Sequence, residues 1–247
     1  MAAISGTAPA EPDEVTFVPC EAILFDCDGV LVESDQIVLH SWTRWAEHMQ
    51  LNPEDVIATV HGRRSADTVA DFIHDDRRQD AADLIDAMEI EDAAAVTTIP
   101  GAAELVASIP SDRWATVTSG SRNLATARLT AAHLPIPAIL VTAGDVQNGK
   151  PHPEGYLAGA RGLAVPIGDC VVIEDAAAGI RAARAAKAGY IIGVGNREVG
   201  EHTPDIMVTD LRSLRWTGAG LEIQTRRATA GPGVVRARAS LRRSSPS

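Results

Sequence analysis

Cysteine is scarce in this chain: Cys20, Cys27 and Cys170 are an odd number at no metal-ligand spacing. That argues against a disulfide framework and against a zinc site. The three thiols read as reduced and packed, with Cys27 a small filler at a strand end. No apolar run approaches the length of a membrane span, and the opening "MAAISGTAPAEPDEV" has neither a basic start nor an apolar signal core. A cytoplasmic protein without membrane contact is expected. Basic residues are also short, 22 Lys and Arg against 33 acids for a net charge of -11, which argues against a nucleic-acid partner because phosphate-backbone binding draws on clustered cations. A local positive pocket for a small anion is compatible with that balance. Apolar residues are plentiful, 45% of 247. They can supply the core of one large domain, or of a medium domain with a smaller partner, with a monomer expected.

Residues 1–19 are rich in Ala, Pro and acids without period and read as a disordered leader. Short apolar runs follow: "EAILFD" (21–26), "WATVTS" (114–119), "AILVT" (138–142), "VVIED" (171–175), "YIIGVG" (190–195) and "DIMVTD" (205–210). They do not alternate, which suits strands covered on both faces. Helical patterns separate the later runs, among them "SRNLATARLTAAH", "PEGYLAGARGLA" and "DAAAGIRAARAAKAG". Strand alternating with helix implies an α/β fold with a doubly wound parallel sheet. Residues 35–98 break the rhythm with helical patterns alone, too much chain for a crossover, and read as a helical insertion covering the end of the first strand. The core then comprises 20–34 and 99–215. Residues 216–247 end in six arginines with no acid after 225, and read as a disordered basic tail.

Ligands of a doubly wound sheet bind outside the carboxyl ends of its strands. Asp26 and Asp28 stand at the first such end, Ser119 and Gly120 at the second, Lys150 in the loop after the third, and Glu174 and Asp175 at the fourth. Carboxylates gathered on one rim repel unless a hard dication sits among them, and Mg2+ combines few carboxylates with phosphate oxygens. The candidate metal residues are Asp26, Asp28, Asp175 and Glu174. Adjacent strand residues point apart, so Glu174 joins Asp175 only if the turn has begun. Ser119, the Gly120 N–H and the Lys150 ammonium are donors suited to peripheral phosphate oxygens. The set points to phosphoryl transfer, with Asp26 as nucleophile, Asp28 as acid and base, and Lys150 neutralising charge. In the insertion, His61, Arg63 and Arg64 lie where a loop would face the leaving group, though exposed charges at a helix start are an equal reading. Asn123 either touches the phosphate or starts its helix. Trp42 and Trp45 fit a core stripe.

The motifs "FDCDGVLVES", "VTSGS", "GKPHPEGY" and "VVIEDAAAGI" together resemble the haloacid dehalogenase superfamily over about residues 20–210. The insertion resembles the small helical cap of the beta-phosphoglucomutase-like branch, and "HGRRSADTVADF" its sugar- and polyol-phosphate phosphatases. The resemblance implies a Rossmann-like core and a Mg2+-dependent phosphatase of small sugar or polyol phosphates, such as hexose phosphates or glycerol phosphate, working through an aspartyl-phosphate. It implies a backbone-carbonyl Mg2+ ligand at Asp28, Ser119 and Lys150 on the phosphate, and Asp175 on the metal. Asp28 is the residue that metal-free dehalogenases lack. A sugar-phosphate mutase shares these motifs and stays open, as does a non-catalytic phosphate-binding regulatory protein.

Overall fold

The computed structural model describes residues 14–225 apart from positions 75, 198, 199, 201 and 202. The leader up to residue 13 and the arginine-rich stretch from 226 onward lie outside the described residues. Eleven strands and eight α-helices are assigned within it.

The central sheet has six parallel strands: β2 (Ala22–Phe25), β5 (Trp114–Val117), β6 (Leu140–Val141), β7 (Cys170–Glu174), β8 (Tyr190–Val194) and β9 (Ile206–Val208), in the order β6-β5-β2-β7-β8-β9. The unalternating apolar runs have a simple cause. In β2, Ile23 and Phe25 enter one core while Ala22 and Leu24 enter the other. In β7, Val171 and Ile173 divide from Cys170 and Val172 in the same way. Helices α5 (Ala102–Ser108) and α6 (Arg122–Ala131) contribute Leu105 and Leu129 to the first core. Helices α7 (Glu154–Gly162) and α8 (Ala177–Ala186) contribute Tyr156 and Ile180 to the second. Burying both faces of each strand gives the sheet its rigidity, and a leucine-sized side chain so placed contributes about 1.5–3 kcal/mol.

Two short strands, β3 (Val32–Glu33) and β4 (Thr97–Thr98), pair antiparallel where the chain leaves the core and returns to it. Between them lie α1 (Asp35–His48), α2 (Pro53–Ile57), α3 (Ser65–Phe72) and α4 (Arg78–Asp92). These helices own a third core built on Trp45, Val56, Val69 and Ile85. Trp42 and Trp45 meet edge to face at 5.3 Å, and the Trp45 indole donates to the Ala81 carbonyl at 2.8 Å. Both are core residues of the insertion.

The described chain is more ordered at its ends than the composition suggests. Residues Glu14–Pro19, expected to belong to a loose leader, form β1. Residues Gly220–Thr225, expected in the tail, form β11 and pair with β1 antiparallel, while β10 (Leu214–Trp216) completes the sheet. Val18, Leu221 and Ile223 join the core that holds Ile23 and Phe25. Among the described residues no helix is long and apolar enough to cross a membrane.

Candidate active site

β2 ends by delivering Asp26 to the rim, where its N–H donates to the Ile173 carbonyl at 2.9 Å. The residue is 5% exposed. Lys150, from the segment before α7, donates to Asp26 Oδ1 at 2.7 Å and to Glu174 Oε1 at 2.6 Å. Its ammonium lies 5.2 Å from the Tyr156 ring centre, and the Tyr156 hydroxyl donates to the same Glu174 oxygen at 2.7 Å. Glu174 Oε2 accepts from the N–H groups of Asp175 at 2.9 Å and Ala176 at 3.1 Å. Gly179 makes this possible, because a Cβ there would lie 1.5 Å from Glu174 Oε1.

One ammonium thus serves several carboxylates. Burial opposes the charge on Lys150, but Asp26 and Glu174 outweigh it and hold the pKa well above the ordinary lysine value. Asp26 is pushed up to about 7 by burial, opposed by Lys150 and reinforced by Glu174 and Asp28. Asp175 is pushed well above the carboxylate range by burial, then by Glu174 and Asp26. Ligand oxygens of Asp26, Glu174 and Asp175 all lie within 4.8 Å of one another. Buried acids whose charge the protein leaves under-compensated fit a hard cation. Glu174 already takes four donors, so Asp26 and Asp175 are the carboxylates with coordination to spare.

Asp28 sits two residues on. Its Oδ1 accepts from the Ser34 hydroxyl at 2.7 Å and from Arg128 Nη1 at 2.8 Å. Arg128 reaches the site from α6, and its other terminal nitrogen donates to Glu89 Oε1 at 2.9 Å. Glu89 belongs to α4, so one guanidinium ties the acid of the core to the insertion.

The insertion covers the rim through a few more contacts. Ser119 lines the pocket, and its hydroxyl donates to the Gly62 carbonyl at 3.0 Å. Gly62 adopts φ +72, and a Cβ on it would meet the Ala176 Cβ at 2.8 Å. His61 and Arg63 line the same pocket. Arg64, expected at the leaving group, points elsewhere: it forks onto Asp67 at 2.7 Å and donates to the Gln147 carbonyl at 3.0 Å. The Gly120 N–H donates to Thr118 Oγ1 at 3.0 Å, and Asn123 is exposed in the first turn of α6.

Residues 20–187 match the haloacid dehalogenase-like hydrolases. The chain belongs to that family. It is 39% identical over 175 residues to hexitol phosphatase A of Escherichia coli, covering 68% of this chain and 80% of that protein. It is 33% identical over 217 residues to glycerol-1-phosphate phosphohydrolase 2 of Saccharomyces cerevisiae, covering 81% and 86%. Among solved structures it resembles a beta-phosphoglucomutase of Clostridium difficile with a TM-score of 0.68 and 25% identity, covering 80% and 94%.

In this member of the haloacid dehalogenase-like hydrolases the sequence reading missed three residues bonded into the acidic cluster: Tyr156, Arg128 and Glu89. Arg128 had a readable signal. In "SRNLATARLTAAH" it follows Leu124 by four places and Leu129 follows it, so it falls on the apolar stripe of α6, where an unpaired charge is costly. Cys20, Cys27 and Cys170 are all free and buried, and burial pushes Cys20 up to about 11, Cys170 up to about 12 and Cys27 well above the usual range.

Proposed function

We propose that the chain is a Mg2+-dependent phosphatase of small sugar or polyol phosphates that works through a phosphorylated Asp26. The observation that carries this reading is the buried Asp26, gripped by Lys150, beside Asp175 and two residues from an acid held by a separate cation. The hexitol and glycerol-1-phosphate enzymes among its relatives support the substrate class.

Asp26, the Asp28 main-chain carbonyl and Asp175 would hold the Mg2+, which supplies charge neutralisation for an anionic ester. Lys150 keeps Asp26 aimed and adds positive charge beside the phosphoryl group. An Asp26 oxygen attacks phosphorus, and the bond from phosphorus to the sugar oxygen breaks. Asp28 gives its proton to the departing oxygen, leaving a neutral alcohol. The same carboxylate then takes a proton from water as that water attacks the phosphorylated Asp26, releasing phosphate and restoring both acids. Ser34 and Arg128 hold Asp28 Oδ1 throughout, which leaves Oδ2 for the proton. The helical insertion acts as a cap that excludes bulk water during transfer.

Phosphate release from a panel of sugar and polyol phosphates, with Mg2+ or with EDTA, tests the reading. Release that needs the metal and is lost in Asp26→Asn is expected. Silence across the panel, with glucose 1-phosphate isomerised when a sugar bisphosphate is added, would make the chain a mutase. Silence in both assays would leave a phosphate-binding protein.

A further inference from the structure

Glu89 is used by no step of that reaction, yet it is 4% exposed and lines the pocket together with Asp28, Ser65 and His61. Its Oε1 is occupied by Arg128. Among the described residues its Oε2 meets the Ser65 hydroxyl alone, at 3.5 Å, the outer limit of a hydrogen bond. A buried carboxylate oxygen so lightly used is costly unless a donor completes it. Arg128 also fixes its place along the substrate. The guanidinium that holds Glu89 through one terminal nitrogen holds Asp28 through the other. The acceptor and the acid that protonates the ester oxygen therefore flank one guanidinium and line the same pocket.

The cations around the same pocket are already engaged. Arg128 is shared between two carboxylates, and Arg63 pairs with Asp71 at 2.8 Å. Burial, with Arg197 adding and Asp35 opposing, holds the His61 imidazole below its ordinary value. A second anionic group on the substrate meets no unpaired cation among the described residues that line this pocket, but does meet Glu89.

Building on the phosphatase reading, we propose that Glu89, seated by Arg128, is the specificity-determining residue of the cap. It accepts a hydrogen bond from the hydroxyl next to the ester and turns away leaving groups that carry a carboxylate or a second phosphate. A hydroxyl bonded to a buried acceptor discriminates far more sharply than an apolar contact does.

The test compares kcat/KM of the full chain with Mg2+ on glycerol 1-phosphate, propyl phosphate and 3-phosphoglycerate, with p-nitrophenyl phosphate as common reference. Wild type is expected to favour glycerol 1-phosphate over both of the others by on the order of ten- to hundredfold, a result that needs no variant. In Glu89→Gln the ratio of glycerol 1-phosphate to propyl phosphate should fall about tenfold, mainly through KM, while 3-phosphoglycerate gains on both. Glu89→Asp keeps the charge facing Arg128 but withdraws the oxygen, and its ratio should fall as well, whereas a residue that only pairs with Arg128 would be rescued. Ratios near unity in wild type, or unchanged in both variants, overturn the proposal while leaving the phosphatase intact. Failure of wild type to hydrolyse any of the four, p-nitrophenyl phosphate included, overturns the proposal together with the reading beneath it.

Discussion

Lys150 is one ammonium set among acids that would otherwise repel, and much of the site's behaviour follows from that shortage. Lys150→Ala should lower kcat by roughly a hundredfold or more, because it removes the ammonium that grips Asp26 and leaves Asp26 and Glu174 facing each other uncompensated. The raised Asp26 pKa also fixes a sign for stability. Above the ordinary carboxyl value and up to about 7, the folded protein holds a proton on Asp26 that the unfolded chain has lost. Unfolding then releases protons, so stability in EDTA should fall as pH rises through that window. A Mg2+ held by Asp26 and Asp175 would compete with the proton, and thermal melts should show it raising Tm more at pH 8 than at pH 5. Gly179 is the most exacting small residue here. Gly179→Ala should lower stability by about 3 kcal/mol in a urea titration and abolish turnover, since the new methyl would occupy the place of Glu174 Oε1.

At the scale of elements, polar contacts that close the cap among the described residues include Ser119 to Gly62, Ser121 to Asp86, Arg128 to Glu89, Arg64 to Gln147 and Arg197 to Asp35. Gly62→Ala should cost only about 1–2 kcal/mol for its backbone conformation. It should lower kcat/KM about tenfold or more, because the methyl meets Ala176 just where the cap loop seats; steady-state kinetics beside a melting curve separates the two effects. These contacts also mark where sequence reading stops. Asp26, Lys150 and Asp175 were legible because a parallel sheet brings its strand ends to one rim, and the strands announce themselves by burying both faces. Arg128 meets partners 39 and 100 positions away in the chain, and no local period carries that information. Arg64 misled for the opposite reason: Asp67, one helical turn on, is near enough to capture it. β1 was hidden because most of its apolar residues lie on the exposed face. In "EVTFVP" the apolar residues Val15 and Phe17 face outward at 56% and 50% exposure, and only Val18 is buried, so the stretch blends into the Pro-rich sequence before it.

For the molecule as a whole, the sheet of β1, β11 and β10 binds the start of the described chain to its end while adding to the same core as β2. Deleting residues 1–19 should lower stability by at least about 2 kcal/mol, the worth of Val18 and the cover it gives Leu221 and Ile223. Chemical denaturation of the truncated chain checks this. Hydrolysis of p-nitrophenyl phosphate should survive under conditions where that chain stays folded, because the sheet contributes no residue to the pocket that holds Asp26.

The ladder between β1 and β11 has a mechanical side as well. Glu14 stands opposite Thr225 and Pro19 opposite Gly220, so both strands leave the pair at the same end. Their hydrogen bonds run across the strands. Tension applied between the two termini therefore falls on one rung at a time, as in a zipper, and does not spread over all of them at once. The ladder gives way at low force and lengthens like a slack tether, while β2, which carries Asp26, lies behind it and bears load only after the last rung has parted.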